Sequence, residues 1–200
     1  MYSKSHRDAP KKELINGVIV AMSPSAGIHH NHVVLSIAGI FARYLKGKPC
    51  KVFTDSVDVY LTEDNIFVPD VTVVCNPNIL KPKGIYGAPD LVVEILSHST
   101  AKRDKGVKKD IYGKCGVKEY WIVDIRSLSV EVYLIDSERL EFDNRYEIVP
   151  PDWIAESTGD DEEARPITKF KTSLFDDLII DLEEVFAEID FDSELTWNDE

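Results

Sequence analysis

Pro89-Asp90-Leu91-Val92-Val93-Glu94-Ile95-Leu96 is the stretch on which the fold turns. Its apolar residues run together instead of alternating with polar ones, the pattern of a strand covered on both faces. Glu94 interrupts that run. A carboxylate inside an apolar strand is costly to bury unless something compensates its charge. The same interruption stands upstream, where Phe67 to Cys75 is a β-branched run broken at Asp70 behind Pro69. Downstream, Ser97, Ser99 and Thr100 offer N-caps for a helix reaching about Cys115, which Gly116 ends. Two acid-bearing strands followed by a Lys-rich helix frame the rest of the reading.

Asp70 and Glu94 are 24 residues apart, enough for one strand, a loop and the next strand. Their side chains can then meet across neighbouring strands about 5 Å apart. Asp90 competes for the first role. It lies four residues from Glu94 on the same extended strand, roughly 13 Å away at about 3.3 Å per residue, too far to share one ion. Asp70 and Glu94 are therefore the expected pair, and Asp90 is read as a residue that starts the strand. A magnesium ion held by one or two carboxylates, with water and substrate phosphate completing its shell, would remove the burial penalty.

On the following helix Asp104, Lys108 and Tyr112 stand at i, i+4 and i+8, on one face. Taken alone, they describe an intrahelical salt bridge beside a packed tyrosine. Next to a carboxylate pair, Lys108 becomes the cation that neutralises charge in the transition state, with Tyr112 as its brace or as a hydrogen-bond donor to phosphate.

The remaining chain reads as mixed α/β with a central sheet. Asn16-Gly17 between two apolar runs predicts an N-terminal β-hairpin over Glu13 to Met22. Ser23-Pro24-Ser25 supplies capping chemistry for a helix whose stripe is Val33, Ile37, Ile40, Phe41, Tyr44 and Leu45, ended by Gly47. His29 is one turn before Val33, at the edge of that stripe. Lys51 to Leu61 carries further strand signals, Asn76 to Gly87 is expected to be loop, and Val117 to Asp124 and Ser129 to Ile135 are expected to be strands. Residues 1–187 are read as a single domain and 188–200 as an acidic C-terminal tail.

The chain has 200 residues, 44% of them hydrophobic, and a formal net charge of −13. Uniform acidity would argue against a nucleic-acid partner, but residues 156–200 hold 16 acidic and 3 basic side chains while residues 1–155 hold 20 of each. Between residues 99 and 120, seven Lys or Arg face three acids, a basic segment suited to a phosphate backbone. Cys50, Cys75 and Cys115 leave an odd thiol and no paired spacing, which argues against a disulfide framework and for a reducing cytoplasm. No apolar run is long enough for a membrane span, and Met1 to Lys12 lacks a signal core.

Asp70 with Glu94-Ile95-Leu96 resembles the PD-(D/E)XK nuclease superfamily. The run Gly87 to Ser97, with Ser99-Thr100, Arg103-Asp104, Lys108, Tyr112, Gly116-Val117 and Glu119 to Asp124, resembles the restriction-endonuclease-like Uma-two family within it. Glu13 to Gly17, Met22-Ser23-Pro24, His29 and Leu182 to Phe186 extend the resemblance over nearly the whole chain. It implies a restriction endonuclease-like core, a central mixed sheet flanked by helices, and a metal, usually magnesium with manganese as its substitute, bound by Asp70, Glu94 and the carbonyl of Ile95. It further implies a metal-dependent endonuclease acting on DNA through an activated water, in which homodimers are common; the alternative is an inactive nuclease fold that binds nucleic acid or protein. Leu96 occupies the position of the motif lysine, so another cation must serve: Lys108 first, then Lys102 or Lys109. Glu13 and His29 are supporting candidates, with Asp104 and Tyr112.

Overall fold

The computed structural model describes residues 11–22, 27–97, 99–149, 167–187 and 189. Asn16 and Gly17, both at positive φ (49° and 77°), close the predicted hairpin of β1 (Lys12–Ile15) and β2 (Val18–Ala21). That backbone matches the twist of a two-residue hairpin turn. Helix α1 (Ile28–Tyr44) buries Val33, Val34, Ile37, Ile40 and Phe41; the capping chemistry expected at Ser23 to Ser25 lies outside the described residues.

Strands β3 (Lys51–Thr54), β4 (Val59–Thr62), β5 (Asn65–Phe67) and β6 (Val71–Val74) follow. Pro69 cannot donate to a ladder, and the run from Phe67 to Cys75 is divided there into strands of two different sheets. The segment expected to be loop, Asn76 to Gly87, holds a 3-10 turn and two short strands, β7 (Leu80–Lys81) and β8 (Gly84–Tyr86). Gly84 makes this possible: a Cβ there would lie 2.5 Å from the carbonyl oxygen of Asp58.

β9 (Leu91–Ile95) leads into α2 (Ala101–Arg103), a π-turn (Asp104–Lys108) and α3 (Lys109–Cys115). One regular helix was the expectation; Gly106, at φ −117° and ψ −105°, breaks it. Gly116 ends the segment at φ 93°. The chain continues through β10 (Glu119–Asp124), β11 (Ser129–Asp136), β12 (Arg139–Glu147), β13 (Lys169–Lys171), β14 (Ile179–Asp181) and α4 (Leu182–Val185). Of the acidic tail expected at 188–200 only Ile189 is described, and it packs against the largest core.

The central sheet is mixed, in the order β12-β11-β10-β9-β6-β3, with β9 and β10 parallel. Leu91, Val93 and Ile95 point to one face, where α1, β13, β14 and α4 complete the largest core with Phe41, Trp121, Phe170 and Leu182. Val92 points to the other, where it meets Ile111, Tyr112, Tyr120 and Phe67. A second sheet, β2-β1-β5-β4-β8-β7, closes over that side. Both faces of β9 are covered, and all five of its residues are buried.

The expectation about the cysteines is also overturned. Cys50 and Cys75 form a disulfide, and Cys115 is free. Lys51 pairs with Val74 in the antiparallel β3/β6 ladder, which puts Cys50 and Cys75 opposite each other. An odd cysteine count does not reveal that register, and the disulfide withdraws the cysteine argument for a reducing compartment. No described helix is long and apolar enough to cross a membrane.

Candidate active site

Side-chain alternation places Glu94 on the α3 side of the central sheet, with Val92. Val71 pairs with Val93 across the antiparallel β6/β9 ladder, so Asp70, one residue before β6, lies opposite Glu94. The Ile95 N–H donates to Asp70 Oδ2 at 2.7 Å. Asp70 and Glu94 thus stand at facing positions of neighbouring strands, close enough for the charge of Asp70 to act on Glu94.

Lys108 reaches Glu94 from the π-turn. Its Nζ lies 2.6 Å from Glu94 Oε1, 3.0 Å from Glu13 Oε1 and 3.5 Å from Asp104 Oδ1. Tyr112 Oη donates to the same Glu94 oxygen at 2.8 Å. Glu13, on β1 of the second sheet, also accepts from the Val68 N–H at 3.1 Å. Asp104, Lys108 and Tyr112 thus converge on Glu94 although the helix carrying them is broken. π-turns recur at functional sites, where they re-aim side chains.

His29 stands in the first turn of α1. Its neighbour His30 is the histidine at Asp70, with Nε2 3.3 Å from Oδ1. Sequence reasoning missed it, although helical phase carried the signal: His30 precedes Val33, Val34 and Ile37 by three, four and seven residues. Leu96 packs against the apolar cluster around Tyr112. Asp90 serves elsewhere, accepting from the Cys75 N–H at 2.6 Å and pairing with Lys118 at 2.7 Å.

The electrostatics of the pocket are crowded. Glu13, Asp70, Glu94 and Asp104 are all buried, and Lys108 is only 3% exposed. Burial pushes the Glu94 carboxyl well above its usual range; Lys108 pulls it down, and Asp104, Asp70 and Glu13 raise it further. Asp104 is raised for the same first reason, burial, against the pull of Lys108. Burial opposes the charge on Lys108, yet Glu94, Glu13 and Asp104 together outweigh it and hold the amine protonated. One ammonium among four carboxylates leaves negative charge unbalanced.

Among the described residues no three His, Cys, Asp or Glu side chains are arranged to enclose a metal ion, which argues against a closed zinc-type cage. The donor set here is smaller and harder: two facing carboxylates beside a strand carbonyl. That chemistry fits magnesium, which keeps several waters and takes few protein ligands. The excess of buried negative charge fits a cation as well.

The basic segment does not form one free surface. Lys108 is internal, Lys105 pairs with Glu131 at 2.9 Å, Lys118 pairs with Asp90, and Lys109 lies 4.6 Å above the Tyr133 ring.

Comparison with known proteins bears on the family and the fold. The sequence model of the Uma2 family, described as "Putative restriction endonuclease", matches residues 1–158. An uncharacterized Synechocystis protein, slr1290, is 31% identical over 131 residues, 64% of this chain and 67% of that protein. A second from the same organism, sll1609, is 25% identical over 127 residues, 62% and 71% of the two chains. The fold is similar to the crystal structure of "a putative nuclease belonging to DUF820" from Anabaena variabilis, with a TM-score of 0.62 at 18% identity, over 92% of this chain and 94% of that one.

Proposed function

Because the chain belongs to the Uma2 family of restriction endonuclease-like proteins, we propose that its pocket hydrolyses phosphodiester bonds of DNA with magnesium as cofactor. The observation that carries the proposal is the contact of Lys108 Nζ with Glu94 Oε1 at 2.6 Å, at the strand position that faces Asp70 across the β6/β9 ladder. It supplies from a neighbouring helical segment the amine that Leu96 does not.

Asp70 and Glu94 would hold the cation with the Ile95 carbonyl, and manganese would serve in place of magnesium. When bound, such a cation lowers the pKa of a coordinated water and polarises a phosphate oxygen. The chain's own residues supply the rest. Lys108 offsets the negative charge that grows on the phosphate, in a site dry enough to make that charge count. Glu13 and Asp104 keep the amine protonated and aimed, and Tyr112 fixes the Glu94 oxygen by hydrogen bonding. His30 and the Ile95 N–H orient Asp70.

The second reading, a nuclease fold that binds nucleic acid without cutting it, is favoured by one observation: the ammonium at Glu94 is already shared among three carboxylates. Plasmid and single-stranded DNA assays with magnesium or manganese separate the two, alongside calorimetric titration of the metal. Cleavage by the wild type should fall about 10²-fold or more in Asp70→Asn and Glu94→Gln, with loss of the metal isotherm. Metal binding without cleavage of any substrate would favour the second reading, and absence of both would sink the site.

A further inference from the structure

The second sheet turns one face toward the pocket and the other outward. Along β1 the alternation is strict: Glu13 and Ile15 are buried inward, while Lys12 and Leu14 face out. Cross-strand pairing then extends the outward face from Leu14 in both directions. Leu14 pairs with Ile19 on β2 and with Ile66 on β5; Ile66 pairs with Tyr60 on β4; Tyr60 pairs with Tyr86 on β8. Directly paired residues share a face, so Ile19, Leu14, Ile66, Tyr60 and Tyr86 form one row across five strands. Ile19 is 67% and Tyr86 43% exposed, and the Tyr60 and Tyr86 rings stack with centroids 4.3 Å apart. Lys12, Glu13, Leu14, Ile19, Asp58, Tyr60 and Ile66 line a hollow of about 310 Å³ on this face.

The row is exposed at its two ends and half-buried at Leu14, Ile66 and Tyr60 between them; contiguous apolar surface of this kind marks interaction sites, and its charges identify the partner. The hollow is lined by Lys12 against Asp58 and Glu13, so it has no positive excess with which to hold a phosphate backbone. Lys12 and Asp58, whose side chains lie on the outward face, are placed symmetrically instead. β1 and β4 are both antiparallel to β5 and therefore run the same way. Lys12 precedes Leu14 by two residues and Asp58 precedes Tyr60 by two, which puts both charges on the same side of the row, one strand either side of β5.

We propose that this face binds a second copy of the chain about a two-fold axis running along β5. That operation lays Lys12 over the partner's Asp58 and Asp58 over the partner's Lys12. It also lays Leu14 over the partner's Tyr60 and Ile19 over the partner's Tyr86, with Ile66 meeting its own mate. A two-fold contact must be self-complementary in this way, and face-to-face sheets about 10 Å apart leave room for such side chains to interlock. Glu13 projects to the opposite side of β1, toward Lys108, so pairing covers the back of the second sheet and leaves the pocket open.

Sedimentation equilibrium on the full chain tests this without reference to catalysis. The wild type should be dimeric at about 100 μM and below, and Leu14→Lys and Tyr86→Lys should be monomeric with unchanged circular dichroism. Lys12→Asp and Asp58→Lys should each weaken association about tenfold or more, and the double variant should restore it, a rescue that no merely structural effect produces. A wild type that is monomeric at every concentration would overturn the proposal. So would a double variant no better than the singles, or dimerisation that begins only when residues 1–10 are removed, which would make the N-terminal segment the occupant. DNA binding lost in Leu14→Lys with no change of mass would assign the face to nucleic acid instead.

Discussion

Two buried glutamates on adjacent strands of the central sheet have opposite fates. Glu119, at the start of β10, points to the α1 side, where its carboxylate accepts from Trp121 Nε1 at 2.6 Å, the Ser173 N–H at 2.7 Å and Ser173 Oγ at 2.6 Å. Three neutral donors satisfy it and no other buried acid crowds it. Glu94, on β9, points to the other side, where one ammonium and one phenol serve a group of four acids. A carboxylate saturated by donors ties segments together, here the stretch before β14 to the sheet. One packed among like charges is expensive to keep and is kept where a cation or a reaction uses it.

Exchanging the positive charge should separate the two regions most sharply. Lys108→Met strips the pocket of its ammonium and leaves four buried acids unbalanced, so stability should fall by about 3–5 kcal/mol. Any DNA cleavage should fall at least about 10²-fold. Urea unfolding and plasmid cleavage measure the two effects. If Lys108→Met unfolds no more easily than the wild type, the pocket is not the strained region argued here.

Glu119→Ala is the counterpart on the opposite face. It orphans a buried indole N–H and the Ser173 donors, each worth about 1–3 kcal/mol when left unsatisfied, so a loss of roughly 2–4 kcal/mol is expected. Metal affinity and the cleavage rate of the folded fraction should not change. A changed metal isotherm in this variant would break the distinction between the two glutamates.

The pH dependence of stability should have the same sign at both positions. Burial raises Glu119 above the usual carboxyl range, against the pull of Ser173 and Trp121, and raises Glu94 further. A raised folded value means that folding takes up a proton, so the contribution is complete below the ordinary glutamate value of about 4.3 and is lost as pH rises through the raised one. The stability advantage of wild type over Glu119→Gln, and over Glu94→Gln, should therefore shrink as pH rises above about 4.3. The decline should extend to higher pH at Glu94. Magnesium should reverse the trend at Glu94 alone, the pocket proposed to hold the cation.

Alternation and apolar runs made much of this legible in advance. β9 and Glu94 followed from an unbroken run with one acid in it, the hairpin from Asn16-Gly17, and the Lys108 contact from helical spacing. The misses share a cause, since each depends on register between segments distant in sequence. Nothing local in Cys50 or Cys75 says that β3 and β6 align them. Glu119 looks like the polar edge of a strand until Ser173 folds over it. His30 needed the phase of α1 fixed to within one residue, and the strands at Leu80 and Gly84 needed the approach of Asp58.

The smallest expected effect examines how Glu94 is held. Tyr112 is fully buried, its ring is edge-on to Phe67 with centroids 5.2 Å apart, and its hydroxyl donates to the Glu94 oxygen that also contacts Lys108. Tyr112→Phe keeps the ring and deletes only the donor. A neutral hydrogen bond contributes about 0.5–1.5 kcal/mol net, so stability should fall by roughly 1 kcal/mol and cleavage by about tenfold or less. Because the hydroxyl stabilises the carboxylate form, its removal should raise the Glu94 pKa further and shift the alkaline-rising limb of a pH–rate profile to higher pH. A rate loss with an unmoved limb would mean that Tyr112 acts on the substrate, not through Glu94.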